Sequence, residues 1–189
     1  MKEIRQSFVD AKKMIDDFAA DETNIEKIRT AGELMADCVR NNHKVISCGN
    51  GGSMSDAMHF AEELTGLFRE LRPAIPAISI SDPSHITCAA NDFGFENIFS
   101  RYIEGIGQPG DILLAISTSG NSQNIVNAAL AARKKNMKIV ALTGKDGGKM
   151  ADNCDIEIRA PFSRYSDRTQ EIHIMIIHCL IQYIESHLK

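Results

Sequence analysis

Short apolar runs alternate with longer amphipathic stretches along most of this chain. Five runs read as strands, and several of them are apolar without interruption: Lys44–Cys48, Ile75–Ile80, Asp111–Ile116, Lys138–Leu142 and Asp155–Ile158. Continuous apolar runs are typical of strands that are buried on both faces of a parallel sheet. The stretches at about 53–70, 95–106 and 122–136 are helical in pattern and long enough to cross between parallel strands. We therefore predict an α/β fold, a three-layer sandwich with a five-stranded parallel sheet.

Further helical sequence flanks this core. Stretches at about 2–19 and 23–41 precede the first strand, and one at about 166–187 closes the chain. The last stretch has a wide apolar face, formed by Ile172, Ile176, Ile177, Leu180, Ile181 and Ile184. Extra apolar helices either thicken a core or contact other subunits, and we expect a homo-oligomer.

No linker, repeat or low-complexity tract divides the chain. Its 189 residues suit one domain. We therefore predict a single domain over residues 1–189, with N-terminal helices at about 2–41, an α/β core at about 44–160 and a C-terminal helix at about 166–187.

Composition and charge exclude several classes of protein. The 21 Lys and Arg residues against 25 Asp and Glu give a net charge of −4, so no basic excess points to nucleic acid. No apolar run approaches the roughly 18 residues of a membrane span, and the N-terminus lacks the apolar segment of a signal peptide. The five cysteines are widely spaced without a CxxC pair, which favours reduced structural thiols. We expect a soluble, cytoplasmic protein that binds neither nucleic acid nor membrane.

Two loops of small residues follow predicted strands. Gly49–Ser53 comes after the first strand and Ser117–Ser122 after the third, each directly before a predicted helix. Ligands of open parallel sheets bind at the carboxyl ends of the strands, where N–H and hydroxyl groups can donate to an anion. Tight turns and helix capping are the alternative explanations for such loops. Two of them together favour a phosphate site, although neither is a Walker A loop or a dinucleotide fingerprint.

Ionisable residues on two predicted helices form a second candidate group. His59 and Glu63 are four residues apart, about 40° around a helix axis, a spacing that lets both bind one metal ion. Taken alone, that spacing favours a surface pair over a metal site. Gln170, His173 and His178 on the last helix are further candidate ligands.

Other polar residues have simpler explanations. We expect His43, His85 and His187 to be solvated in loops or at the terminus. Turn formation explains the polar segments Ser81–His85 and Asn91–Gly94, and Asn91 and Asp92 could also bind sugar hydroxyls.

Six motifs together resemble the bacterial sedoheptulose 7-phosphate isomerases, or phosphoheptose isomerases, of the sugar isomerase (SIS) domain family. They are SCGNGGS at 47–53, DAMHFAEELTG at 56–66, NDFG at 91–94, STSGNS at 117–122, LTGKDGG at 142–148 and QEIH at 170–173. The resemblance covers almost the whole chain. The Ser/Thr loop alone indicates the superfamily, whereas the helix motif and the C-terminal Gln and His are far more specific.

The resemblance implies a fold and an activity. The fold is the SIS domain, which is flavodoxin- or Rossmann-like. The activity is aldose–ketose isomerisation of D-sedoheptulose 7-phosphate to D-glycero-D-manno-heptose 7-phosphate through an enediol, the first step of ADP-heptose synthesis for the lipopolysaccharide core. Family members are cytoplasmic homotetramers that use zinc, so one Zn²⁺ per subunit is implied here.

The resemblance also assigns roles to residues. His59, Glu63, Gln170 and His178 correspond to metal ligands, and Glu63 and His178 to the catalytic pair. Substrate contacts correspond to Asn50, Gly51, Gly52, Ser53, Glu63, Asn91, Asp92, Ser117, Thr118, Ser119, Ser122, Asp167 and Gln170. Gln is an uncommon zinc ligand, so the role of Gln170 rests on resemblance alone. Gln170 and His178 are about 12 Å apart along a helix, from which we expect active sites at subunit contacts.

A second function stays open at this point. Some SIS-domain relatives are non-catalytic tetramers that bind the replication initiator, and this chain has the size for that role. A transcription regulator would need an added DNA-binding domain, which 189 residues already used for one sheet do not supply. A retained ligand set at His59, Glu63, Gln170 and His178 favours the isomerase, because a scaffold does not need one.

Overall fold

A parallel sheet forms the centre of the protein. The computed structural model describes residues 1–188, and its five strands are all parallel, in the order β2-β1-β3-β4-β5. They are β1 (Val45–Gly49), β2 (Ala77–Ser79), β3 (Ile112–Ser117), β4 (Lys138–Thr143) and β5 (Ile156–Arg159). The central strands β1 and β3 are buried along their whole length, as continuous apolar runs require. The predicted five-stranded parallel sheet is confirmed.

Among the residues that the structure describes, seven α-helices surround the sheet. They are α1 (Lys2–Ala19), α2 (Glu22–Arg40), α3 (Gly52–Thr65), α4 (Pro83–Phe93), α5 (Ile98–Ile106), α6 (Gln123–Lys134) and α7 (Ser166–His187). Alternate residues of β3 face opposite layers: Ile112 and Leu114 pack with α2, α3 and α7, whereas Leu113 packs with α5 and α6. Both faces of the sheet are therefore apolar and covered. Among residues 1–188, no helix has the length and apolar content needed to cross a membrane.

The structure corrects the prediction in the region after β2. Residues 83–93 form α4, where we expected turns at Ser81–His85 and Asn91–Gly94. The same residues are helix signals: the Asp82 carboxylate accepts the His85 N–H at 2.8 Å, Pro83 is the first helical residue, and Gly94 ends the helix with φ +87°. The helix expected at 53–70 also stops earlier, at Thr65, because Gly66 caps it.

The histidines outside the candidate site are less exposed than predicted. His85 is half-buried, with its Nε2 2.8 Å from the Ile98 carbonyl oxygen. His43 is also half-buried, 3.8 Å from the Asp111 carboxylate. The prediction of solvated side chains was wrong for these two, because each packs where a neighbouring element supplies a partner. His187 is exposed as predicted.

Candidate active site

Three helices begin around one cavity at the carboxyl ends of β1 and β3. Its volume is about 320 Å³, and it is lined by Asn50, Gly51, Gly52, Ser53, Ile116, Ser117, Thr118, Ser122, Ser166 and Gln170. α3 begins at Gly52, α6 at Gln123 and α7 at Ser166, so the free N–H groups of three first turns lie near it. Within residues 1–188, neither Lys nor Arg lines the cavity. An anion here would be held by N–H, hydroxyl and amide donors.

The loop after β3 is shaped by a position that only glycine fits. Gly120 has φ +65°, and a Cβ there would overlap the carbonyl oxygen of Gly147. The Met150 N–H also donates to the Gly120 carbonyl at 3.0 Å. The loop is thereby packed against residues 147–150, which holds Ser117, Thr118 and Ser122 at the cavity.

Asn50 is oriented by a partner that the sequence did not point to. Its side-chain amide forms two reciprocal hydrogen bonds, of 2.9 and 2.8 Å, with the amide of Asn124. Asn124 is buried near the start of α6. The one sequence signal for Asn124 was an asparagine in the first turn of the helix that follows the Ser-rich loop. Ser166 lines the cavity too and was likewise missed.

Four predicted substrate residues lie away from this cavity in the single chain. The Ser119 hydroxyl accepts the Asn121 N–H at 3.2 Å within its own loop. Asp167 lines a separate cavity beside α1. Asn91 and Asp92 are exposed in the last turn of α4, and the Asn91 amide donates to the Asp92 carboxylate at 2.7 Å. The other predicted substrate residues, apart from Glu63, all line the cavity.

A histidine–glutamate–histidine triad joins α3 to α7. The Nε2 of His59 lies 3.0 Å from Oε1 of Glu63 and 3.3 Å from Nε2 of His178. One ligand atom from each residue lies within 4.8 Å of the others. The His178 ring stacks on Phe68, with centroids 5.9 Å apart, which fixes its orientation. The structure thus brings together three of the four predicted metal ligands.

The donor set of the triad fits a zinc ion. Two imidazoles and one carboxylate are a ligand set that zinc takes in catalytic sites, which keep a further position open. Oε2 of Glu63 is buried without a hydrogen-bond partner among the described residues, as expected of a carboxylate that needs a cation. The His59 side chain is 38% exposed and that of Glu63 19%, so a small substrate can reach the triad.

A further carboxylate lies beside the triad. Burial raises the pKa of Asp56 to about 6, and the nearby His59 opposes that effect. Its Oδ2 has no hydrogen-bond partner among residues 1–188. Asp56 is one helical turn before His59, so it adds negative charge on that side of the triad.

Gln170 and His173 differ in their positions on α7. The Gln170 amide covers Gly52, where a Cβ would lie 2.6 Å from its Nε2. It is thus at the cavity, about 12 Å along α7 from His178. His173 is fully buried, its Nε2 lies 2.8 Å from the Thr143 carbonyl oxygen, and burial lowers its pKa to about 4. The expectation of His173 as a candidate ligand was wrong, because its ring anchors α7 to the end of β4.

Comparisons with known proteins agree with this geometry. Residues 9–144 match the SIS domain family. The phosphoheptose isomerase of Glaesserella parasuis is 59% identical over 176 residues, covering 93% of this chain and 92% of the relative. That of Proteus mirabilis is 59% identical over 186 residues, covering 98% and 97%. The structure of the phosphoheptose isomerase from Neisseria gonorrhoeae matches with a TM-score of 0.91 at 38% identity, covering 98% of both chains. The chain therefore belongs to the SIS domain family and, within it, to the phosphoheptose isomerases, so that it is a sugar-phosphate isomerase.

Proposed function

We propose that this enzyme interconverts D-sedoheptulose 7-phosphate and D-glycero-D-manno-heptose 7-phosphate through an enediol. The observation that carries the proposal is the separation between the phosphate cavity and the triad. Gly52 and His59 are seven residues apart on α3, which is about 10 Å along the helix. An extended seven-carbon sugar spans about the same distance from C1 to its terminal phosphorus, given C–C bonds of about 1.5 Å. A heptose phosphate held at the cavity would thus present C1 and C2 to the triad.

Glu63 and His178 are suited to the two proton movements of the reaction. Moving the carbonyl from C2 to C1 requires a base at the carbons and an acid–base group at the oxygens. Oε1 of Glu63 faces His59 at 3.0 Å, and the Glu63 side chain is 19% exposed. Its carboxylate would accept the C1 proton of the substrate and return it to C2. His178, stacked on Phe68, would pass a proton between the O1 and O2 atoms of the substrate.

His59, Glu63 and His178 would hold one Zn²⁺ per subunit. When bound, zinc supplies Lewis-acid stabilisation of the negative charge that develops on the substrate oxygen. Gln170 as a fourth ligand stays a prediction, because in the single chain its amide lies over Gly52.

The phosphate would be held by the first turns of α3, α6 and α7. The hydroxyls of Ser117, Thr118, Ser122 and Ser166 line the cavity beside these turns. Hydrogen bonds to a doubly charged phosphate are stronger than those between neutral groups, which compensates for the lack of Lys and Arg in the lining. Contacts of Asn91, Asp92, Ser119 and Asp167 with substrate stay predictions.

We also propose a cytoplasmic homotetramer with active sites at subunit contacts, acting in ADP-heptose synthesis for the lipopolysaccharide core. Two features support the assembly. Large apolar side chains on α1 face outward, with Phe8 74% exposed and Val9 58% exposed. An apolar groove between α1, α2 and α7, which includes Ile15, Ile25 and Met175, is also open.

The alternative is a non-catalytic tetramer that binds the replication initiator. That role would require a stable surface and no reactive cluster. In the triad, a buried carboxylate oxygen of Glu63 has no partner in the part of the chain that the structure describes, and such an atom destabilises a scaffold that binds no cation. The site therefore favours the isomerase.

A turnover assay tests the proposal. Purified protein is stripped with a chelator, reloaded with zinc, and given sedoheptulose 7-phosphate, with product formation coupled to the heptose 7-phosphate kinase. We expect turnover that depends on the metal and is lost in His59→Ala. No turnover after zinc is restored would contradict the isomerase function and favour the scaffold.

A further inference from the structure

We propose that Arg72 is a positioning residue for the reaction, and that with Glu185 it forms a clamp holding α3 against α7. The Arg72–Glu185 clamp would set the separation between the triad residues on α3 and His178 on α7. The inference rests on the proposed function, because it assigns the clamp a part in metal binding and turnover at the triad.

The guanidinium of Arg72 binds both helices at once. Its Nη2 donates to the backbone carbonyl of Glu63 at 2.7 Å, and Nη1 donates to that of Leu64 at 2.8 Å. Its Nε donates to the Glu185 carboxylate on α7 at 2.8 Å. The two side chains are 9% and 4% exposed, so solvent screens this ion pair little. One side chain thus links the carbonyl of a triad residue to the neighbouring helix.

Arg72 satisfies free backbone carbonyls at the C-terminal end of α3. The last carbonyls of a helix lack partners within it and carry partial negative charge. α3 has no basic residue in its last turn, while Glu62 and Glu63 add negative charge there. Arg72, from the loop after the helix, supplies both the donors and the positive charge. Its fork-shaped guanidinium can reach several acceptors in fixed directions, which a lysine cannot.

Glu185, the other residue of the clamp, lies on α7 on the C-terminal side of His178. It lies seven residues after His178, about two turns along α7 and on nearly the same face. Glu63 lies four residues after His59 on α3. The clamp therefore joins α3 and α7 just beyond the triad, whereas the phosphate cavity lies near the beginning of both helices. Loosening the clamp would disturb the triad more than the cavity.

The test compares Arg72→Met and Arg72→Lys with the wild type. Zinc affinity is measured by competition with a chromophoric chelator, and kcat and KM are measured with sedoheptulose 7-phosphate. We expect Arg72→Met to weaken zinc binding and to lower kcat, each by about tenfold, the scale found for residues that support metal ligands. KM should stay within about twofold. Arg72→Lys should fall between the two, because it keeps the charge without the fork.

Lys44→Met is the matched control. Lys44 forms a partly buried ion pair with Asp111 at 2.6 Å, at the amino ends of β1 and β3 and away from the triad. We expect this variant to lose thermal stability while keeping the zinc affinity and kcat of the wild type within about twofold.

Glu185→Gln is a milder change to the clamp. An acceptor oxygen remains for Nε of Arg72, so we expect this variant to keep the zinc affinity of the wild type within about threefold.

The possible results distinguish a failure of the clamp proposal from a failure of the proposed function. If the wild type binds zinc and turns over, and folded Arg72→Met does so equally well, the clamp is wrong and the function stands. Equal losses of zinc affinity in Arg72→Met and Lys44→Met would also contradict the clamp. A wild type that neither binds zinc nor turns over would contradict the proposed function itself. If Arg72→Met does not fold, unchanged zinc affinity in Arg72→Lys would contradict the clamp.

Discussion

His173 illustrates how a single buried residue couples this fold to pH. Its pKa is lowered from 6.5 to about 4 by burial, so the folded protein keeps the ring neutral. The unfolded chain takes up a proton below about pH 6.5, which the folded chain does not do until about pH 4. The free energy of unfolding therefore falls as pH falls through this window.

The lowered pKa of His173 predicts how much stability the protein loses at acidic pH. At pH 5, proton uptake by His173 in the unfolded chain lowers the free energy of unfolding by about 2 kcal/mol relative to pH 7. His173→Gln keeps a donor for the Thr143 carbonyl and does not titrate, so it should lose that much less stability between the two pH values. Urea unfolding of both metal-free proteins at pH 7 and 5 measures the difference. Identical pH dependence of the two proteins would mean that folding does not lower the pKa of His173.

The residue-level chemistry of the site could be predicted only in part from the sequence. The spacing of His59 and Glu63 revealed a possible ligand pair, because four residues on a helix place two side chains on one face. Their meeting with His178, 119 residues further along the chain, is a tertiary contact that no local pattern contains. The residues alone left Gln170, His173 and His178 as candidate ligands, and the resemblance favoured His178 over His173. Arg72 was missed because its role depends on backbone carbonyls, which every residue carries.

At the scale of elements, the sheet was more predictable than the helix that follows β2. Buried parallel strands leave continuous apolar runs, and all five were located within three residues of their observed ends. α4 was missed because Asp82-Pro83 and Asn91–Gly94 also suit turns. The single buried residue of α4 is Ala89, so the helix carries little of the apolar pattern by which sequence analysis finds helices.

The convergence of three helix starts is also an element-level feature. Two of them, α3 and α6, were expected at a phosphate site because each follows a loop after a strand. The start of α7 was located at about residue 166, but no local pattern placed it beside the cavity, since α7 follows an edge strand and reaches the cavity by packing against α3. Ser166, the first residue of α7, therefore lines the cavity through a tertiary contact that the sequence pattern does not show.

For the whole molecule, the exposed apolar surface predicts assembly. The outward face of α1 and the groove beside α7 would be covered in a tetramer. Phe8→Asp should therefore shift the protein towards smaller species and lower its turnover, because active sites at subunit contacts would be incomplete. Light scattering coupled to gel filtration, with activity measured across the peak, tests this. Full activity in a monomer would contradict the placement of the sites at subunit contacts. Lys134→Asp is the control, because Lys134 is exposed at the end of α6, in the layer on the other face of the sheet from α1.

The most direct test of the account is whether Glu63 moves the proton. In deuterated solvent, the wild type should exchange the C1 proton of sedoheptulose 7-phosphate during turnover. Glu63→Gln keeps a possible ligand oxygen but cannot accept a proton, so we expect its exchange to be slower by about 10²–10⁴-fold, the usual contribution of a general base. Glu62→Gln, one residue away and on an exposed part of α3, should exchange at the native rate. If folded Glu63→Gln binds the substrate and still exchanges the C1 proton at the native rate, Glu63 is not the base and the proposed mechanism is wrong.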